Sequence, residues 1–203
     1  MNRILFSFLL FAAILPGLAQ ESRRPSHEIQ LSAGTYNYGS GVQEYFQLGL
    51  LSMHLSYGLD IPVAENWSVI PEIGAKFYWE GIFALGAVGA DFDGFTYWDL
   101  TVSGRYHTAD GIILGLGPML SYARRQDKYY IDADPWDPLD GRPKNTRFNL
   151  SLRPSVLFSC GKHWHLGAEA EIGLTNAMVQ YPELHHTGTR HLHALRFVAC
   201  YRF

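Results

Sequence analysis

Leu195-Arg196-Phe197-Val198-Ala199-Cys200-Tyr201-Arg202-Phe203 alternates a bulky or apolar residue with an arginine or a small one. Successive side chains of an extended chain point to opposite faces. Leu195, Phe197, Ala199, Tyr201 and Phe203 therefore share one face, and Arg196, Val198, Cys200 and Arg202 the other. One apolar face and one charged face fit a strand with lipid on one side and a polar lumen on the other.

Working outward from this stretch, seven more segments repeat with period two, over residues 29–36, 45–59, 67–79, 98–106, 112–122, 147–158 and 164–174. In the third, Trp67, Val69, Pro71, Ile73, Ala75, Phe77 and Trp79 alternate with Ser68, Ile70, Glu72, Gly74, Lys76 and Tyr78. Connections after the second, fourth and sixth segments are tight, while those after the first, third, fifth and seventh are longer, the longest being 124–145. An antiparallel meander then carries all its short turns at one end and all its long loops at the other. The expected fold is all-β, an eight-stranded antiparallel up-and-down transmembrane β-barrel. Loops near 38–44, 80–96, 124–145 and 175–190 would face the cell exterior. Pro71, Pro118 and Pro154 each remove a ladder hydrogen bond, so irregular pairing is expected near them.

A soluble ligand-binding barrel would show the same alternation with its apolar face turned inward. The polar face argues against it, because Gly, Ser and Thr dominate there and Lys76 is its only lysine, whereas a solvated surface is richer in Lys and Glu. Tryptophans also mark segment ends: Trp67 and Trp164 on the short-turn side, Trp79 and Trp98 beside a long loop. From Trp67 to Trp79 a tilted strand climbs roughly 30 Å, enough to carry an apolar band of about 25 Å between aromatic girdles. Trp67, Trp79, Trp98, Trp164, Phe197, Tyr201 and Phe203 are the residues expected to serve membrane assembly and the girdle.

Asn2 and Arg3 precede an apolar run from Ile4 to Leu15, and Gly17-Leu18-Ala19 fits a small-x-small cleavage site. Residues 1–19 are read as a cleaved signal peptide and 20–203 as the barrel domain. The apolar run is shorter than the roughly 20 residues of a spanning helix. A net charge of -3 gives no reason to expect nucleic acid as a partner. Cys160 and Cys200 fall on opposite faces of non-adjacent segments, so two free thiols are expected.

Taken together, the signal ending near Ala19, the eight alternating segments and the final Phe197-to-Phe203 stretch resemble the small outer-membrane β-barrel proteins of Gram-negative bacteria. The resemblance implies an outer-membrane location, contact with outer-membrane lipid and lipopolysaccharide, and recognition of the terminal aromatic-x-Phe strand by the barrel-assembly machinery. That family includes adhesins, secretion accessories, narrow channels and lipid-modifying enzymes, so no reaction follows from it.

On the expected lumen side, Glu72, Asp99, Glu169 and Glu171 meet Lys76, Arg105, Arg147, Arg153, Arg196 and Arg202. Charges of both signs in a narrow interior should pair, and an interior of this width can be filled by side chains. The leading expectation is a monomeric barrel with a structural or binding role through its outer loops, its extracellular ligand unspecified and no cofactor assigned. The alternatives are a lipid-modifying enzyme and a narrow channel for small or apolar solutes. The His-x-Ser-Asn stretch of outer-membrane lipid A deacylases is missing; Leu174-Thr175-Asn176-Ala177 comes nearest and lacks both His and Ser. His185, His186, His191 and His193 match no defined zinc spacing, and Asp127, Asp132, Asp134, Asp137 and Asp140 lack the order of a calcium loop. Both clusters are read as ordinary polar loop residues.

Overall fold

The computed structural model describes residues 24–39, 50–80, 93–123, 144–179 and 191–203. Among the described residues ten strands follow one another: β1 (Ser26–Gly39), β2 (Leu50–Ala64), β3 (Trp67–Glu80), β4 (Asp93–His107), β5 (Ile112–Ala123), β6 (Lys144–Asn145), β7 (Phe148–Ser159), β8 (Trp164–Gly173), β9 (Met178–Val179) and β10 (His191–Arg202). Eight of them close a barrel in the order β1-β10-β8-β7-β5-β4-β3-β2, and β6 pairs separately with β9. Every ladder is antiparallel. Closure leaves the eight barrel strands without an edge, which is what a sheet needs where no water can satisfy free backbone groups.

The strands run further than their alternation suggested. β1 begins at Ser26 and β4 at Asp93, where the sequence pointed to Ile29 and Trp98. Residues 45–49 of the second expected segment, like residues 1–19, lie outside the described residues. Short turns join β2 to β3, β4 to β5 and β7 to β8 at one end of the barrel, as expected. Two of these turns place a glycine at positive φ, Gly111 at 80° and Gly161 at 93°, a conformation that costs glycine little.

The prolines act as their chemistry requires. Pro71 pairs with Val102, but on its β2 side the ladder lapses between the Gly58–Glu72 and Ile61–Val69 pairs. Pro118 pairs with Leu152 and breaks the β4 ladder between Thr101–Met119 and Gly104–Leu116. Pro154 pairs with Leu116 and breaks the β8 ladder between Leu152–Ile172 and Ser155–Glu169. A strand residue donates its N–H to one neighbour only, so a proline costs the pairing on one side and leaves the other intact.

Alternation settles the two faces. Ile29, Leu31, Leu55, Ile73, Leu100, Leu116, Leu150, Leu166 and Leu195 all project outward and are exposed. Inward positions carry polar side chains that are almost wholly buried, among them Glu28, Gln30, Ser52, His54, Glu72, Lys76, Asp99, Arg105, Arg153, Glu169, Glu171 and Arg196. The hydrophobic side is outside and the charged side is inside. In water this arrangement would expose a continuous apolar belt; in a bilayer it buries one.

Candidate functional site

Among the described residues, charged and polar side chains from every barrel strand but β5 form one connected set in the lumen, beside buried Ile70, Ile113, Met119 and Leu157. Nearest the long-connection end, Glu171 of β8 draws in β3 and β10: Lys76 Nζ lies 2.5 Å away and Arg196 Nη2 2.7 Å, and the Tyr78 hydroxyl donates to Glu171 Oε2 at 2.8 Å. Arg196 also donates to the Tyr78 oxygen at 3.0 Å and to Ser52 Oγ at 2.6 Å. Below them, Glu169 accepts from Gln30 and Ser32 at 2.7 Å each and pairs with Arg196 Nη1 at 3.3 Å. His54 bridges sideways, with Nδ1 3.4 Å from Glu169 and Nε2 3.3 Å from Asp99. Both ring nitrogens thus face carboxylate oxygens, which only accept, so a ring carrying both protons satisfies both contacts.

Toward the short-turn end, Glu72 pairs with Arg153 and Arg105 and accepts from Ser56 at 3.1 Å. Arg105 reaches Glu28 at 2.7 Å, and Arg202, its side chain 20% exposed, meets Asp60 at 2.7 Å. Removing such charges from water is expensive, and the cost is offset only where each is paired and hydrogen-bonded in good geometry. The outer mouth is shut by aromatic rings. Tyr36 and Tyr78 pack edge to face at 4.9 Å, Tyr78 and Tyr97 at 6.2 Å, and all three are fully buried. Lys76 Nζ lies 5.8 Å from the centre of the Tyr97 ring. Over this lid, Tyr97 donates to the Thr146 carbonyl at 3.3 Å and Thr146 Oγ1 to the Asn176 carbonyl at 3.1 Å, beside the β6–β9 ladder.

Of the charges picked out in sequence, Glu72, Lys76, Asp99, Arg105, Arg153, Glu169, Glu171 and Arg196 converge in this plug, with Arg202 at its lower rim. Arg147 does not: it is exposed, because the chain bends there before β7 begins at Phe148 and the inward phase starts only at Asn149. Sequence reading passed over Glu28, His54 and Asp60. Each was in phase with a recognised lumen face, and extending the alternation one or two residues past the expected ends of β1 and β2 would have found Glu28 and Asp60.

Outside, two aromatic bands emerge. At the short-turn end Trp67 packs on Tyr106 at 5.1 Å, Trp164 on Tyr201 at 5.0 Å, and Phe203 on Tyr201 at 6.2 Å and on His27 at 5.7 Å. Towards the other end Trp98, Tyr122 and Phe148 are neighbours across β4, β5 and β7. The Trp79 side chain lies outside the described residues. Phe197 is 82% exposed but stands opposite Ala33 and Ala168, well up the strand from Phe203, so it belongs to the apolar band between the girdles.

Cys160 is free and exposed in the β7–β8 turn, and Cys200 is free and buried. Among the described residues no group of three or more His, Cys, Asp or Glu side chains is placed to hold a metal ion. His191 and His193 lie on β10, whereas His185, His186 and the aspartates from Asp127 to Asp140 lie outside the described residues. Ser159 Oγ contacts His165 Nδ1 at 3.1 Å, but His165 Nε2 has no partner among the described residues and so lacks the acid that orients a catalytic imidazole.

A closed antiparallel barrel of eight strands, short turns at one end, long connections at the other, and an apolar exterior between aromatic girdles define the class: a small outer-membrane β-barrel, with the outer membrane as its location. No protein-family model and no curated protein matches the chain. Among solved structures it is similar to Neisserial surface protein A (NspA), with a TM-score of 0.50 and 14% identity over 89% of this chain and 100% of that one. It is also similar to Ail, the attachment invasion locus protein of Yersinia pestis, in a crystal with the heparin analogue sucrose octasulfate: TM-score 0.45, 15% identity, 88% and 97% covered. The outer-membrane protein AlkL, solved by solid-state NMR in lipid bilayers, follows with a TM-score of 0.38 and 14% identity over 91% and 94%. At such identities the likeness concerns fold alone.

Proposed function

We propose that this protein is a closed outer-membrane anchor whose role is structural or binding, carried by the long connections it presents at the cell surface. The observation that carries this reading is the plug. Paired side chains occupy the lumen from Arg202 and Asp60 at one end to Glu171, Arg196 and the tyrosine lid at the other. Among the described residues, paired side chains crowd the lumen, which speaks against a wide solute path and in favour of recognition through the loops. Membrane lipid and lipopolysaccharide would contact the apolar belt and its girdles, and a single copy suffices because closure leaves no edge to pair.

Planar-bilayer recording of the refolded protein tests this. No resolved conductance steps are expected, and steady single-channel openings would overturn the reading in favour of a narrow channel. Release of fatty acid from lipopolysaccharide by the same preparation would overturn it in favour of a lipid-modifying enzyme.

A further inference from the structure

Three imidazoles among the described residues carry a buried ring nitrogen without a hydrogen-bond partner there: His165, His191 and His193. His165 faces inward near the short turns. The other two are neighbours on the outside. They occupy successive outward positions of β10, in phase with Leu195 and Phe197, at the end of the strand that joins the long connections. Side chains two residues apart rise from one face of a strand about 6.4–6.8 Å from each other. The two ring centres lie 6.3 Å apart with their planes at 43°, and the unpartnered atoms are Nδ1 of His191 and Nε2 of His193.

Their surroundings leave the pair to itself. His193 stands opposite Asn37 of β1 and Ile172 of β8, and His191 opposite Gly39. The carboxylate next to Ile172 in the chain, Glu171, is turned into the lumen and held there by Lys76 and Arg196.

A neutral imidazole offers one nitrogen lone pair, and an electron-pair acceptor placed between two rings takes both lone pairs at once. At a metal–nitrogen bond of about 2.0–2.1 Å, two nitrogens on one ion stand at most about 4 Å apart. Rings centred 6.3 Å apart reach that span by turning about χ2. A pair of nitrogen ligands does not suit calcium or magnesium, which take oxygen, whereas imidazole suits copper, nickel and zinc. A phosphate would instead need both rings protonated, with two like charges side by side on a part-buried face. We propose that His191 and His193 form a two-imidazole site for a divalent transition-metal ion, copper, nickel or zinc, on the outer rim of the barrel wall. The ion keeps its remaining positions for water or for a donor brought by another molecule. The site therefore captures metal at the cell surface and contributes nothing to the plug.

Calorimetric titration of the untagged full chain, folded in nanodiscs, with copper(II), nickel(II) and zinc(II) tests this. One ion per barrel is expected, held most tightly as copper and undisturbed by an excess of calcium or magnesium. Electron paramagnetic resonance of the copper form should show coupling to two imidazole nitrogens. His191→Gln and His193→Gln should each weaken copper binding at least about tenfold, since even the loss of an orienting partner costs a metal site that much. Gel mobility should still shift on boiling in both variants, as for the unaltered barrel, and a chain carrying His185→Gln with His186→Gln should bind copper as tightly as the unaltered one. The proposal is overturned if no ion binds, if the copper spectrum shows a single nitrogen, if the variant lacking both His191 and His193 keeps its affinity, or if the variant lacking His185 and His186 loses it. Inorganic phosphate that shifts both ring signals in acid, with no response to the metals, would overturn it in favour of an anion.

Discussion

Replacing Glu171 by alanine puts the plug to its hardest test. Its carboxylate takes Lys76 at 2.5 Å, Arg196 at 2.7 Å, Tyr78 at 2.8 Å and Ser151 at 3.3 Å. After truncation Arg196 keeps Glu169 and Ser52, but Glu171 is the one carboxylate paired with Lys76 among the described residues, so a fully buried ammonium loses its counter-charge. Breaking a buried pair from one side costs about 3–5 kcal/mol. That is a shift of roughly two to three and a half powers of ten in the unfolding equilibrium. Urea unfolding in lipid vesicles, followed by tryptophan fluorescence, reads this as a lower midpoint at unchanged slope. Removing both partners, in Lys76→Met with Glu171→Leu, should cost less than Glu171→Ala alone, since no charge is left stranded. The reasoning fails if Glu171→Ala lies within about 1 kcal/mol of wild type, the range of an exposed pair, or if the double variant is less stable than the single one.

Phe197→Arg places a charge on the lipid face at mid-height and should cost about 2–4 kcal/mol in the same unfolding assay, whereas Trp67→Arg at the girdle should cost about 0–1; equal costs would contradict the assigned depths. A Cβ on Gly74 would stand 2.6 Å from His54 Nε2 and 2.9 Å from Asp99 Oδ1, so Gly74→Ala should destabilise by about 1–3 kcal/mol through overpacking and shift the His54 ring signals in NMR. A water-soluble maleimide should label Cys160 in the folded protein and reach Cys200 only after unfolding; rapid labelling of both would mean a lumen open to solvent.

The fold was legible because a strand that separates lipid from a polar lumen must alternate, and alternation survives in a linear string. Eight such runs, with turns of unequal length, leave few closed arrangements. Strand ends were harder to read. Ser26-His27-Glu28 continues β1 inside the barrel, yet His and Glu beside each other look like a polar approach to a strand rather than part of one. The plug was half legible: alternation assigns Glu72, Lys76 and Arg153 to the interior, but pairing is decided across the barrel, between strands far apart in sequence. Nothing local in Lys76 points to Glu171, and nothing in Tyr78 or Tyr97 distinguishes a lid from a girdle. The exposure of Arg147 had no local signal either, since it is in phase with Asn149 and leaves the lumen only because the chain bends at the rim.

Alternation has a further blind spot, and the plug covers it. A slip of one residue turns a strand inside out and is forbidden by the bilayer, but a slip of two preserves both faces. Such a slip carries a side chain about 6.6 Å along its strand, enough to part Lys76 from Glu171, or Arg105 from Glu28 across the lumen. The charge pairs therefore discriminate between registers that the hydrophobic pattern treats as equal. Stability and uniqueness can then be separated experimentally. The Lys76→Met, Glu171→Leu double variant should remain folded yet populate more than one β3 or β8 register, visible as doubled amide signals confined to those strands and their neighbours. A single sharp set of signals would show that the remaining pairs, or the turns alone, suffice to fix the barrel.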